Sequence, residues 1–132
     1  MNFKNSIKNT FISNRVMNVD GKERRIFVVG VRREIVKNDV KIKTIERGNV
    51  TEVNNIVTRN KIRTFDVVYT ILNPEDVFDS QVCNRVINRR FKKKEYHLHL
   101  ETPNFFGSKM CQMIVDNEAD YIVNNIESFI SK

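Results

Sequence analysis

The stretch VMNVDGKERRIFVVGV, residues 16–31, reads as two strands joined at Asp20-Gly21. A type I′ turn needs positive φ at both central residues, and Asp-Gly accepts that conformation at little cost. The apolar run from Ile26 to Val29 supplies the second strand. A hairpin this strongly signalled commits the chain to an antiparallel sheet.

Downstream, Lys37-Asn38-Asp39 marks a turn before residues 40–45, where Val40 and Ile42 alternate with Lys41 and Lys43. That pattern gives a strand with one dry and one basic face. Gly48-Asn49 marks another turn, and residues 50–59 suit either a short helix or an irregular strand. From Ile62 to Leu72, Phe65, Val67, Tyr69 and Ile71 alternate with Thr64, Asp66 and Thr70, the two-residue period of a half-buried strand. Asn73, Pro74, Glu75 and Asp76 then provide a helix cap, a proline at the first position and acids in the first turn.

After that cap comes RVINRRFKKK, residues 85–94, with six cations in ten positions and no acid. On a helix Arg85, Arg89 and Lys92 fall within about 60° of one another, while Val82, Cys83, Val86 and Ile87 lie elsewhere on the circumference. Residues 95–101 alternate strictly: Tyr96, Leu98 and Leu100 on one expected face, Glu95, His97, His99 and Glu101 on the other. Thr102-Pro103-Asn104 ends that strand. Cys111, Val115, Ala119, Ile122, Ile126 and Phe129 then form the stripe of a last helix, with Asp116, Asp120 and Glu127 outside. At the start of the chain, Phe3, Ile7 and Phe11 recur at four-residue spacing, which suggests a short helix or docking arm over residues 1–12. The sum is an α+β fold: an antiparallel meander of four to five strands packed with two C-terminal helices, in a two-layer single domain spanning 1–132.

Bulk properties narrow the function classes. At 132 residues the chain suits one domain with a sizeable core. Mean hydropathy is −0.44, no apolar run approaches membrane-spanning length, and the first residues lead into no signal-peptide core, so an intracellular, cytoplasmic protein without a membrane partner is expected. Cys83 and Cys111 fall on apolar helix faces and read as buried free thiols. The net charge of +7 is uneven: residues 1–100 carry 21 Lys or Arg against 11 acids, and residues 101–132 carry 2 against 5. With 17 Asn and a single alanine, Ala119, the composition also looks like coding bias from an AT-rich genome such as that of a phage, virus or low-GC bacterium.

Catalytic signatures are lacking. Neither cysteine has a histidine at a motif spacing, and the chain has no Gly-x-Ser-x-Gly elbow and no Gly-rich phosphate loop. Asp76 and Asp79 are explained by the helix dipole. His97 and His99, with Glu95 and Glu101 beside them, form the one metal-like constellation. Two imidazoles leave a zinc shell incomplete, so neither metal nor cofactor is expected. An enzyme is not the expectation.

What remains is charge. A stripe of aligned cations repels itself, and an anionic partner relieves that repulsion. The expected protein is therefore a small basic nucleic-acid-binding or nucleic-acid-associated regulator. Arg85, Arg89 and Lys92 would make the central phosphate contacts, with Arg90, Lys93 and Lys94 at the edge. Arg24, Arg25, Arg32, Arg33, Lys41, Lys43, Lys61 and Arg63 are candidates to extend the surface, Lys41 and Lys43 foremost. The alternative is a protein-interaction modulator docking on an acidic surface of a larger machine, for instance a phage-encoded factor acting on host transcription or defence. Phe105, Phe106 and Tyr96 read as core or staple residues rather than as base-stacking platforms.

Overall fold

In the computed structural model, which describes residues 9–37, 40–57, 60–72, 80–102, 104 and 106–130, Asp20 and Gly21 close a two-residue turn with φ of 52° and 79°. They join β1 (Thr10–Val19) to β2 (Lys22–Lys37), paired in unbroken antiparallel register from Thr10↔Val31 to Val19↔Lys22. A second turn of the same kind, at Arg47 and Gly48 with φ of 50° and 88°, joins β3 (Val40–Glu46) to β4 (Asn49–Val57). The ambiguous segment after Gly48 is thus a strand. Next come β5 (Asn60–Leu72), α1 (Ser80–Lys92), β6 (Leu98–Thr102), α2 (Ser108–Asn124) and α3 (Ile126–Ile130).

The expected α+β domain is what forms, and the sheet has six strands in the order β1-β2-β5-β6-β3-β4. β5 passes over the β3–β4 hairpin to pair with β2 along 13 residue pairs, from Arg25↔Leu72 to Lys37↔Asn60. β6 then inserts between β5 and β3. The hairpin expected to continue a simple meander is therefore displaced to the far edge.

Side-chain alternation along β2 and β5 sends apolar groups both ways. Ile26, Val28, Phe65 and Val67 pack with Cys111, Val115, Ala119 and Ile122 of α2, joined by Leu98, Phe106 and Ile126. Phe27, Val29, Val31 and Val68 pack on the opposite face with Cys83, Ile87 and Phe91 of α1. Cys111, Val115, Ala119, Ile122 and Ile126 of the last stripe are buried and Phe129 is half-buried, but the single helix expected there is divided: the chain turns at Asn125, whose N–H bonds the carbonyls of Tyr121 and Ile122 and so separates α2 from α3. Phe106 is in the core. Both cysteines are buried and neither forms a disulfide among the described residues, and desolvation raises the Cys111 thiol, as suits an inert packing group.

Other expectations resolve differently. Thr10, Phe11 and Ile12 open β1 rather than close a helix, and residues 1–8, with Phe3 and Ile7, lie outside the described residues. So do Asn38, Asp39, Phe105 and the expected helix cap with Asp76 and Asp79. Among the described residues no helix is long and apolar enough to cross a membrane.

Gly30 fixes how tightly α2 seats on the sheet. A Cβ there would lie 2.4 Å from Cζ of Phe65 and 2.7 Å from Cγ2 of Val115, both buried side chains. The Phe65 ring, edge-on to Phe11 and tilted against Phe106, occupies the space that the missing side chain leaves. Gly30→Ala is expected to cost roughly 1–3 kcal/mol through overpacking. Equilibrium urea denaturation measures it, and an unchanged midpoint would show that the Phe65 ring has room to move aside.

Candidate functional site

The cationic stripe exists as a surface. Arg85, Arg89, Lys92, Lys93 and Lys94 are all exposed, while Cys83, Ile87 and Phe91 of the same helix are buried. Among the described residues Arg85, Arg89 and Lys92 are in no ion pair. Arg90 stands apart: it is half-buried, its guanidinium lies 5.7 Å from the Tyr69 ring centre, and its buried Nε has no hydrogen-bond partner among the described residues. Arg32 points to the α2 face, where Nη1 donates to the Phe106 carbonyl at 2.6 Å, so it does not join the stripe. Lys41 lies in β3, but its side chain is outside what the structure describes.

The helix ends in a Schellman cap. The N–H of Glu95 bonds the Arg90 carbonyl at 2.9 Å and that of Lys94 the Phe91 carbonyl at 3.1 Å, with Lys94 left-handed at φ 57°. Glycine is the usual residue there. Lysine instead carries an amine to the mouth of a cleft of 410 Å³ just beyond the helix, whose walls include Arg33 and Ile35 of β2, Lys43 and Ile45 of β3, and Tyr96. Its floor is a polar chain. Asp66 of β5, 1% exposed, receives a 2.7 Å hydrogen bond from Arg33 Nη2 and contacts His99 Nδ1 through its other oxygen. His99 Nε2 lies 3.0 Å from Glu101 Oε1, and Glu101 Oε2 accepts the backbone N–H of Lys43 at 2.9 Å. Tyr96 stacks on the His99 ring at 5.3 Å with 12° between planes, and Arg33 Nη2 reaches its hydroxyl at 3.3 Å.

Burial alone would lower the His99 imidazolium, but hydrogen bonds and charge from Asp66 and Glu101 outweigh it and hold the group above its ordinary value. Asp66 and Glu101 each place a carboxylate oxygen against one ring nitrogen, so both nitrogens are engaged and the charged form is favoured.

His97 is on the other side of the sheet, which corrects the reading of 95–101 as one alternating strand. Leu98 and Leu100 do face α2, and His99 and Glu101 the cleft. Residues 95–97, however, precede the strand: the helix cap turns them so that Tyr96 joins the cleft and His97 points toward α2. There His97 Nε2 lies 2.8 Å from Glu118 Oε1, and Arg47 grips the same carboxylate with Nε and Nη2 at 3.1 and 3.0 Å. The Arg47 guanidinium also lies 3.6 Å from the Tyr121 ring centre. The two histidines therefore do not share a coordination centre, and Glu95 is exposed.

Sequence reasoning found Lys43 and Lys94 but missed the cleft that they flank, along with the roles of Arg33, Asp66, Tyr96 and Glu118. Thr64, Asp66 and Thr70 read as the wet face of a strand, yet all three are buried. The one available signal was a lone acid, Asp66, amid eleven otherwise uncharged or basic positions from Ile62 to Leu72. Comparison of the chain with protein-family models, curated proteins and solved structures gives no match.

The two carboxylate–histidine clusters give opposite pH limbs. His99, raised in the folded state, contributes stability that is complete below the free imidazole value of about 6.5 and is lost as pH rises through its folded value. For Glu118, burial pushes the carboxyl up, but the bonds from His97 and Arg47 more than reverse this and leave it below its ordinary value. Its contribution is present above about pH 4.3 and is lost as pH falls through the depressed folded value. Urea midpoints are therefore expected to decline on both sides of that window, with His99→Gln flattening the alkaline limb and Glu118→Gln the acid one. Parallel curves for wild type and His99→Gln from about pH 6 to 9 would rule out the clamped imidazolium.

Proposed function

We propose that this protein binds nucleic acid through phosphate contacts along the exposed face of α1. Arg85, Arg89 and Lys92 are the central contacts, Lys93 and Lys94 extend them past the helix end, and Lys43 stands across the cleft. The observation that carries the reading is continuity: the exposed stripe of α1, in no ion pair among the described residues, leads at Lys94 into a cleft also lined by Lys43 and Arg33. An extended polyanion neutralises such a path while releasing its own counterions, a driving force that does not depend on base sequence. Phosphate contacts position a strand without reading it, so binding to unrelated sequences should be alike.

Arg85→Glu with Arg89→Glu should weaken binding to unrelated sequences equally and lower the salt slope by about one unit per contact removed. Stability should stay within about 0.5 kcal/mol, since both side chains are exposed. Fluorescence anisotropy across a salt series measures this. Unchanged affinity would remove α1 from the interface. Loss of a stoichiometric protein from nuclease-treated extract, with nucleic-acid binding unaltered, would replace this reading with docking on an acidic protein surface.

A further inference from the structure

Three cationic side chains from separate parts of the chain, Arg33 of β2, Lys43 of β3 and Lys94 in the cap after α1, converge on the cleft. The floor adds His99 between the carboxylates of Asp66 and Glu101. With the imidazole charged, four cations face two carboxylates, a surplus of two positive charges. Asp66 and Tyr96 both engage Arg33 through Nη2, and the Arg33 side chain remains 42% exposed. Among the described residues neither Lys43 nor Lys94 is in an ion pair. Above this polar floor the walls carry two apolar side chains, Ile35 and Ile45.

We propose that the cleft bounded by Arg33, Lys43 and Lys94 is a binding site for a phosphate monoester carried on a nucleoside. A terminal phosphate carries close to two negative charges near neutral pH, matching the surplus, whereas an internal diester carries one. The planar Arg33 fork and two mobile ammonium groups suit its three equivalent oxygens. The isoleucines offer apolar contact to the attached sugar or base, and 410 Å³ lies within the range of small-molecule sites. The phosphate can come from the end of a strand or from a free mononucleotide. For a strand end, the proposal rests on α1 guiding the chain into the cleft; for a mononucleotide it stands without the stripe.

The test compares short single strands bearing a 5′-phosphate, a 3′-phosphate or neither, and separately titrates adenosine monophosphate against adenosine by calorimetry. Lys94→Gly and Lys43→Gln are the informative variants. Lys94→Gly places glycine at a left-handed cap, so the fold should be slightly stabilised and lost binding cannot be ascribed to unfolding. Lys43→Gln alters an exposed strand residue whose backbone N–H still reaches Glu101.

A strand-end site requires a terminal phosphate to raise affinity roughly tenfold, about 1.4 kcal/mol, with the ratio collapsing in both variants. A free-nucleotide site requires adenosine monophosphate to bind where adenosine does not, with the same dependence on Lys94 and Lys43, while the strands bind alike. Either result supports the cleft. No preference for phosphate in either arm, or a preference that persists in both variants, overturns it. The unphosphorylated strand binds through internal phosphates without a terminal one, so its affinity in Arg85→Glu with Arg89→Glu tests the α1 reading separately from the terminal-phosphate ratio that tests this one.

Discussion

The structure turns on a change of chemistry along one face of β5. Thr70 and Val68 lie beneath or beside α1; the next residue on that face, Asp66, is an acid that is 1% exposed. A buried carboxylate without partners costs several kcal/mol, more than any single contact in a small domain returns. Arg33 on the paired strand and His99 on the other neighbour supply the partners, and both are placed by register: Arg33↔Thr64 is one step from Asp66 and Asp66↔His99 is direct. A helix of 13 residues, about 20 Å long, covers the apolar half of the face and stops where the charge begins. The cleft is what an apolar helix leaves uncovered on a face that becomes polar.

The same network holds the outer hairpin. Among the described residues β3 pairs with β6 at Ile45↔His99 and Glu46↔Leu98, a thin seam for a two-stranded extension. Side chains thicken it on both faces. On the cleft side Glu101 accepts the Lys43 N–H. On the α2 side Arg47 joins Glu118 and Tyr121, while its N–H bonds the His97 carbonyl at 2.8 Å. Each carboxylate thus does two jobs, balancing a histidine and anchoring the hairpin. Losing one partner of such a cluster leaves the other charge buried, so damage spreads from the cleft to the sheet edge.

Much of the fold was legible because it is written in local pattern. Asp20-Gly21, the stripe from Cys111 to Phe129 and the alternation from Phe65 to Ile71 each specify an element through backbone preference or period. What local pattern lacks is whether a strand's second face is covered. Thr64, Asp66 and Thr70 look wet in sequence and are dry in the sheet, because α1 and β6 come from elsewhere in the chain. Strand order was illegible for a related reason: nothing in residues 40–57 shows that β6 will separate that hairpin from β5. The failure at His97 is more local. A Schellman cap centred on lysine rather than glycine gave no stop signal, so the period-two reading ran three residues too far back.

The cations of residues 85–94 can be divided by how much of each a structural role explains. Arg89, Arg90 and Lys92 occupy the last helical turn, where positive charge gains about 0.3–1 kcal/mol from the helix dipole, so they serve the fold whether or not anything binds. Arg90 is further accounted for by packing over Tyr69. Arg85 is outside that turn, and Lys93 and Lys94 follow the helix as exposed amines. Lys94 goes further against stability, since a left-handed residue other than glycine costs roughly 1 kcal/mol or more. A chain selected only for folding gains by placing glycine there. A lysine held at that cost, on the wall of the cleft, is the position in the cluster that stability explains least.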